Sequence, residues 1–218
     1  MNRMSILYEL PRLHTSRAQG LAAGICVLSW LLCLVCRVPV FPFGVLIPLL
    51  TVASVTDLTS RRIPNWLTYS AAGFAISAAA VVSVQASIGH VVLPGVIGFR
   101  ESVSGFAAVF GVMLVAYHIL GIGAGDVKLA GAIGACIGVQ AGLQALVWTH
   151  LVAGAVIGVH VGWKVGPRWF FRQLLFRLFP GLVLMPTADH SKTFRYPVPM
   201  AAFFAGGTVM ALLEVPLL

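Results

Sequence analysis

Apolar residues along this chain fall into long blocks, each closed by a short polar stretch. Residues 20–36 (GLAAGICVLSWLLCLVC) predict a first helix. Arg37, Pro39 and Pro42 interrupt it, and a second span is expected at 43–57. The polar patch DLTSRRIPN, Asp57 to Asn65, then leads into a third helix at 66–88, with Asn65 as its N-cap after Pro64. A loop containing His90, Pro94, Arg100 and Glu101 precedes a fourth helix at 103–122. A shorter apolar run at 127–139 passes through QAGLQ into a span at 145–163, and a final helix is expected at 198–213. The run at 127–139 rises only about 20 Å at 1.5 Å per residue. It must extend into QAGLQ or dip partway into the hydrocarbon, which is about 30 Å thick.

These blocks predict an all-α fold, a polytopic membrane helical bundle of about six to seven transmembrane helices. The chain reads as a single integral-membrane domain. Residues 1–42 are a tail and first helix, 43–163 a core, 164–196 a basic cytoplasmic segment and 197–218 the last helix. Composition agrees: 59% of the 218 residues are hydrophobic and 9% charged, with mean hydropathy +0.97. Soluble domains carry about 25% charged residues, so a soluble core is excluded.

The net charge of +8 suggests nucleic acid until the charges are placed. Most basic residues sit between apolar runs, as the positive-inside rule describes, and no nucleic-acid partner is expected. Lys164, Arg168, Arg172, Arg177, Lys192 and Arg195 face a single acid, Asp189, within 164–196. There WFFRQLLFRLF reads as an interfacial helix on the membrane surface, in contact with lipid. Threading the spans alternately puts both basic ends, and the loops at 57–65 and 123–128, on the cytoplasmic face. No cleavable secretory signal is expected, because the first 19 residues are polar and carry Arg3, Arg12 and Arg17. Cys26, Cys33, Cys36 and Cys136 all lie in apolar segments. The lone C-x-x-C at Cys33 and Cys36 lacks the second pair that a zinc site of that type needs. The reading calls for no metal and no cofactor.

Only six acidic residues occur, and two stand where an apolar helix meets the cytoplasmic boundary: Asp57 and Asp126. Ionisable groups at such depth are costly and mark function. Headgroup water beside Arg61, Arg62 or Lys128 would explain either acid alone. Gly123 and Gly125, in GAGD, add bare backbone against which an extended peptide could lie. Two carboxylates converging on one water give aspartic proteolysis: one acid takes a proton from water while the other, protonated, polarises the scissile carbonyl.

The stretch DLTSRRIPNWLT (Asp57 to Thr68), followed about sixty residues later by GAGDVKL (Gly123 to Leu129), resembles the type IV prepilin peptidases, integral-membrane GxGD aspartyl proteases. YPVPMAAFFAGG (Tyr196 to Gly207) is similar to that family's last helix. The resemblance covers about 45–163 and 196–213. It implies that Asp57 and Asp126 are the catalytic pair and that Gly123 and Gly125 shape the active-site backbone. Lys128 and Asn65 match positions at the substrate-binding site. It implies a partner, a prepilin or pseudopilin whose short basic leader is cut before its apolar helix, and a place in the bacterial inner membrane with a cytoplasmic active site. The compact size resembles the short members that serve tight-adherence (Flp-type) pili. Larger members carry a paired C-x-x-C insert and also N-methylate the new amino terminus. This sequence lacks the insert, so peptidase activity without methylation is expected.

Helix ends suggest where the dyad's proton sits. Asp57 ends a helix, at the negative end of its dipole, and Asp126 begins one. Asp126 is therefore expected to be the ionised base and Asp57 its protonated partner. Lys128, about 200° from Asp126 around an ideal helix, is expected to point away and snorkel. His118, His150 and His160 lack metal-ligand spacing and read as structural residues bonded between helices. Four alternatives stay open: an archaeal preflagellin peptidase, which shares the prepilin pattern, a presenilin-like GxGD protease, a proton- or cation-coupled transporter using both acids as carriers, and a non-catalytic scaffold.

Overall fold

The computed structural model describes residues 24, 40–89, 95–165 and 199–213. Five helical stretches account for nearly all of them: α1 (Val40–Ser60), α2 (Asn65–Ser87), α3 (Phe99–Leu120), α4 (Ala124–Val165) and α5 (Met200–Leu212). No strand occurs among the described residues. Pro42–Ser60, Asn65–Ser87, Phe99–Leu120 and Ala124–Val159 are long and apolar enough to cross a membrane, and α5 is a shorter apolar helix. This all-helical arrangement fits a multi-pass membrane protein. The helix expected at 20–36 is described only at Gly24, and WFFRQLLFRLF lies outside the described residues.

The chain divides into two compact units, Met1–Thr149 with Pro199–Leu218, and His150–Val198. In the second, the described residues 150–165 form one helical run that exposes Leu151, Val156, Val159 and Trp163. The first unit carries both Asp57 and Asp126.

Its burial pattern is the one lipid dictates. Along α2 the buried positions are Leu67, Thr68, Ala71, Ala72, Ala75, Ala79 and Val82, mostly small and spaced three or four apart. Trp66, Tyr69, Phe74, Val81 and Val84 point outward. Hiding a large apolar side chain gains nothing when the surroundings are hydrocarbon, so helices associate through close packing of small residues. On this basis α1 packs against α2 and α5, and α2 against α3. The shared core includes Leu46, Leu49 and Ala53 of α1, Met113 of α3, Leu129 and Ile133 of α4 and Phe204 of α5.

α4 resolves the short run at 127–139. Gly138 interrupts it with φ 84° and ψ −176°, a conformation that glycine alone adopts without strain. A Cβ built on Gly142 would lie 3.2 Å from the Cα of Gly134, whereas residues eight apart in a straight helix are separated by about 12 Å. Within the first unit the helix therefore folds back at Gly138 into two arms, 124–137 and 139–149. The run does not extend into QAGLQ, which belongs to the returning arm. The first arm, about 20 Å long, turns inside the bundle.

The turn is held against α3. A Cβ on Gly105 would strike the Gly134 carbonyl oxygen and lie 2.8 Å from Gly138 Cα. Beside this contact the Ser102 hydroxyl donates to the Ala135 carbonyl at 2.7 Å. α5 meets the returning arm just as closely, Gly207 lying against the Ala145 carbonyl and the backbone N–H of Thr149.

One expected cap is corrected. Pro64, with φ −65° and ψ 133°, is the last extended residue before α2, and Asn65 is its first helical residue. The Asn65 side chain does not cap its own helix; its Oδ1 accepts a hydrogen bond from Lys128 of α4.

Candidate active site

Two helices reach the same end of the bundle and finish in the same way. At the end of α1, Arg61 takes the left-handed conformation (φ 55°) and its N–H donates to the Asp57 carbonyl at 3.0 Å. At the end of α3, Gly121 does likewise (φ 68°), donating to the Tyr117 carbonyl at 3.0 Å. This is the helix-ending bond of the left-handed motif. Glycine suits it, while an arginine there costs about 1–2 kcal/mol, a strain of the kind that functional sites hold. α2 and α4 begin within a few residues of these stops, so each junction is short and its flanking helices are fixed.

The junctions then meet. A Cβ on Gly125 would lie 3.3 Å from Ile63 Cβ, so GAGD rests on the RRIPN stretch. The Lys128 ammonium donates to Asn65 Oδ1 at 2.8 Å and lies 5.2 Å from the centre of the Tyr69 ring. Lys128 therefore does not turn away into the headgroups as its helical angle suggests. An amide oxygen and an aromatic face, one turn apart on α2, hold it. α5 starts at this end too: the N–H of Ala201 donates to Asp57 Oδ2 at 3.1 Å.

Asp57 is thus buried, 8% exposed, with both its carbonyl and its carboxylate hydrogen-bonded. Asp126 lies in the first turn of α4, where the Gly123 carbonyl accepts the N–H groups of Asp126 and Val127 at 3.1 and 3.3 Å. Asp126 is half-buried, and the contacts of Gly125 with Ile63 and of Lys128 with Asn65, on either side of it in sequence, set it beside the junction that Asp57 begins. The structure brings Asp57, Asp126, Gly123, Gly125, Lys128 and Asn65 to one end of the unit.

Beside the acids, Gly123 leaves room for the carboxylate of Asp126, whose Oδ2 would lie 3.0 Å from an added Cβ, and Gly125 leaves room for Ile63. Asp57 ends α1, but its carboxylate also meets the N-terminus of α5, the positive end of a second dipole, so helix ends do not distinguish the two acids.

His118 bonds within its own helix, Nδ1 lying 2.9 Å from the Leu114 carbonyl, rather than between helices. The side chain of His160 lies outside the described residues, and among those described no three His, Cys, Asp or Glu residues group as a metal centre. Sequence reasoning missed Ile63, Tyr69 and Ala201. Ile63 sits inside the quoted motif, and Tyr69 is four residues beyond Asn65 on the same helical face. Ala201 acts through its backbone, which no side-chain pattern records.

Two acids held at one end of a membrane bundle, on rigid junctions, can share a water and a proton. The family model described as the type IV leader peptidase family matches residues 44–159, over half of the chain and both acids. No curated protein and no solved structure matches the chain.

Proposed function

The chain belongs to the type IV leader peptidase family, and from that premise we propose that it is an aspartyl endopeptidase with Asp57 and Asp126 as its dyad. Its substrate is a prepilin or pseudopilin, cut between a short basic leader and an apolar helix. The observation that carries this reading is the packing of the GAGD turn on the RRIPN stretch, through Gly125 against Ile63 and Lys128 bonded to Asn65, which puts Asp57 and Asp126 at the same end of the bundle. A transporter would place its carriers near mid-membrane, and these acids lie in the end turns of α1 and α4.

In this mechanism a water lies between the carboxyl groups, which share one proton. The ionised carboxylate takes a proton from the water as it attacks the scissile carbonyl, and the protonated acid hydrogen-bonds the developing oxyanion. The resulting tetrahedral species breaks its C–N bond as a proton passes to the leaving amine. Lys128, tied to Asn65 and Tyr69, holds the junctions in register. The substrate's apolar helix stays in lipid, against faces rich in exposed apolar side chains, while its basic leader remains at the surface.

Arg61 and Arg62 in the α1–α2 junction support a cytoplasmic position for this end by the positive-inside rule, in keeping with a bacterial inner-membrane peptidase. No paired C-x-x-C insert occurs in the sequence, and the mature amino terminus is left unmethylated.

The test is co-expression with a prepilin bearing a basic leader. The wild-type chain shortens the substrate, while Asp57→Asn and Asp126→Asn each lower processing by about a thousandfold or more, as loss of one member of a catalytic unit does. Normal processing by either variant rejects the dyad.

A further inference from the structure

Asp57 is held from a part of the chain that the family match does not reach. The match ends at residue 159, yet the group bonded to the Asp57 carboxylate is the N–H of Ala201, 144 residues away in sequence and buried. Ala201 is the second residue of α5, after Pro199 at the N-cap position and Met200. An N–H in the first turn has no acceptor within its own helix. Buried in a membrane bundle, such a donor must find a partner, and Asp57 Oδ2 is that partner.

The donor is fixed firmly. Phe204, one turn along, is 1% exposed in the core shared with α1. Gly207 lets α5 approach the returning arm of α4 to backbone contact at Ala145 and Thr149. Pro199 sets the chain direction into the helix at φ −70°. The helix therefore presents one N–H at a defined point beside the acid.

Building on the dyad reading above, we propose that the backbone N–H of Ala201 is a positioning group for Asp57, binding Oδ2 so that Oδ1 is the oxygen turned to the water shared with Asp126. The last helix is on this account a working part of the site rather than a membrane anchor alone. Ala201 touches neither substrate nor water; it acts by fixing the rotation of the Asp57 carboxyl. Its side chain is irrelevant to the role, which only a backbone change removes.

The experiment replaces the Ala201 residue by lactic acid in the full chain, through nonsense suppression. This turns the amide into an ester and deletes the N–H while keeping the methyl group. A matching ester at Phe203 removes an N–H from the same helix without touching Asp57. Both chains, and wild type, are purified in lipid discs and assayed on a basic-leader prepilin.

The expected result is kcat lower by about tenfold to a hundredfold for the ester at 201 with KM unchanged, the factor that a charge-assisted hydrogen bond is worth. The ester at 203 is expected to keep kcat near wild type. Wild-type kcat from the ester at 201 overturns the proposal. So do equal losses from both esters, or a loss confined to KM, since these report a general weakening of α5. If the wild-type chain leaves the prepilin whole, the peptidase reading falls and this inference with it. If wild type cleaves and the ester at 201 matches it, only the role of Ala201 falls.

Discussion

Along the α3–α4 seam, a Cβ on Gly105 would run into the Gly134 carbonyl and the backbone of Gly138. At the site, a Cβ on Gly125 would lie nearest the Ile63 side chain, at 3.3 Å. Both regions use glycine to bring segments together, but what fills the vacated space differs. In the seam it is main chain, locked by the helix and by the reversal at Gly138, and it cannot move aside. At the site it is a side chain with rotatable bonds, joining two junctions that must stay in register. On the proposed reading, glycine in the seam maintains the fold, whereas glycine at the site maintains alignment of the acids.

The seam carries the larger effect. Gly105→Ala is expected to lower stability by about 1–3 kcal/mol, as overpacking does, and to reduce the folded yield. Gly111 lies on the same helix with nothing within 4 Å of an added Cβ. Gly111→Ala is expected to stay within about 0.5 kcal/mol of wild type, as substitutions away from packed features do. Thermal unfolding in one detergent compares them, and equal behaviour would remove the distinction between close-packed and open glycines.

A smaller and more local effect is expected at the site. Gly125→Val pushes Ile63 away and displaces the GAGD turn. Leader cleavage falls by about tenfold to a hundredfold, the scale of a catalytic group moved by about 1 Å, while unfolding temperature changes little. Adding Ile63→Ala vacates the space and restores part of the activity. The readout is kcat/KM of the single and double variants. A double variant no better than Gly125→Val would show that Ile63 is not what Gly125 accommodates.

The sequence makes much of this legible through two signals. Apolar block length gives the helical membrane bundle, since few other arrangements satisfy a backbone in lipid. The rarity of acids draws attention to Asp57 and Asp126, because a carboxylate beside a hydrocarbon segment is rarely incidental. The reversal at Gly138 is harder to read. Gly131, Gly134, Gly138 and Gly142 recur at three- and four-residue spacing, which marks a close-packing face but does not say which of them breaks the helix. The Lys128–Asn65 bond eluded the helical-wheel angle because a long side chain reaches around its own helix to a neighbour whose position depends on tertiary packing. The Ala201 donor is a main-chain group, identical in every residue but proline, and only the placement of α5 reveals it.

The convergence of Asp57 and Asp126 is tested most directly by cross-linking in native membranes. In a chain whose Cys26, Cys33, Cys36 and Cys136 are replaced by alanine, Asp57→Cys combined with Asp126→Cys is treated with a short bis-maleimide. Asp57→Cys combined with Glu101→Cys, at the far end of α3, serves as the control. An internal cross-link in the first pair and none in the control is the predicted result. A first pair that stays unlinked in folded protein would contradict the meeting of the two acids, and with it the proposed dyad.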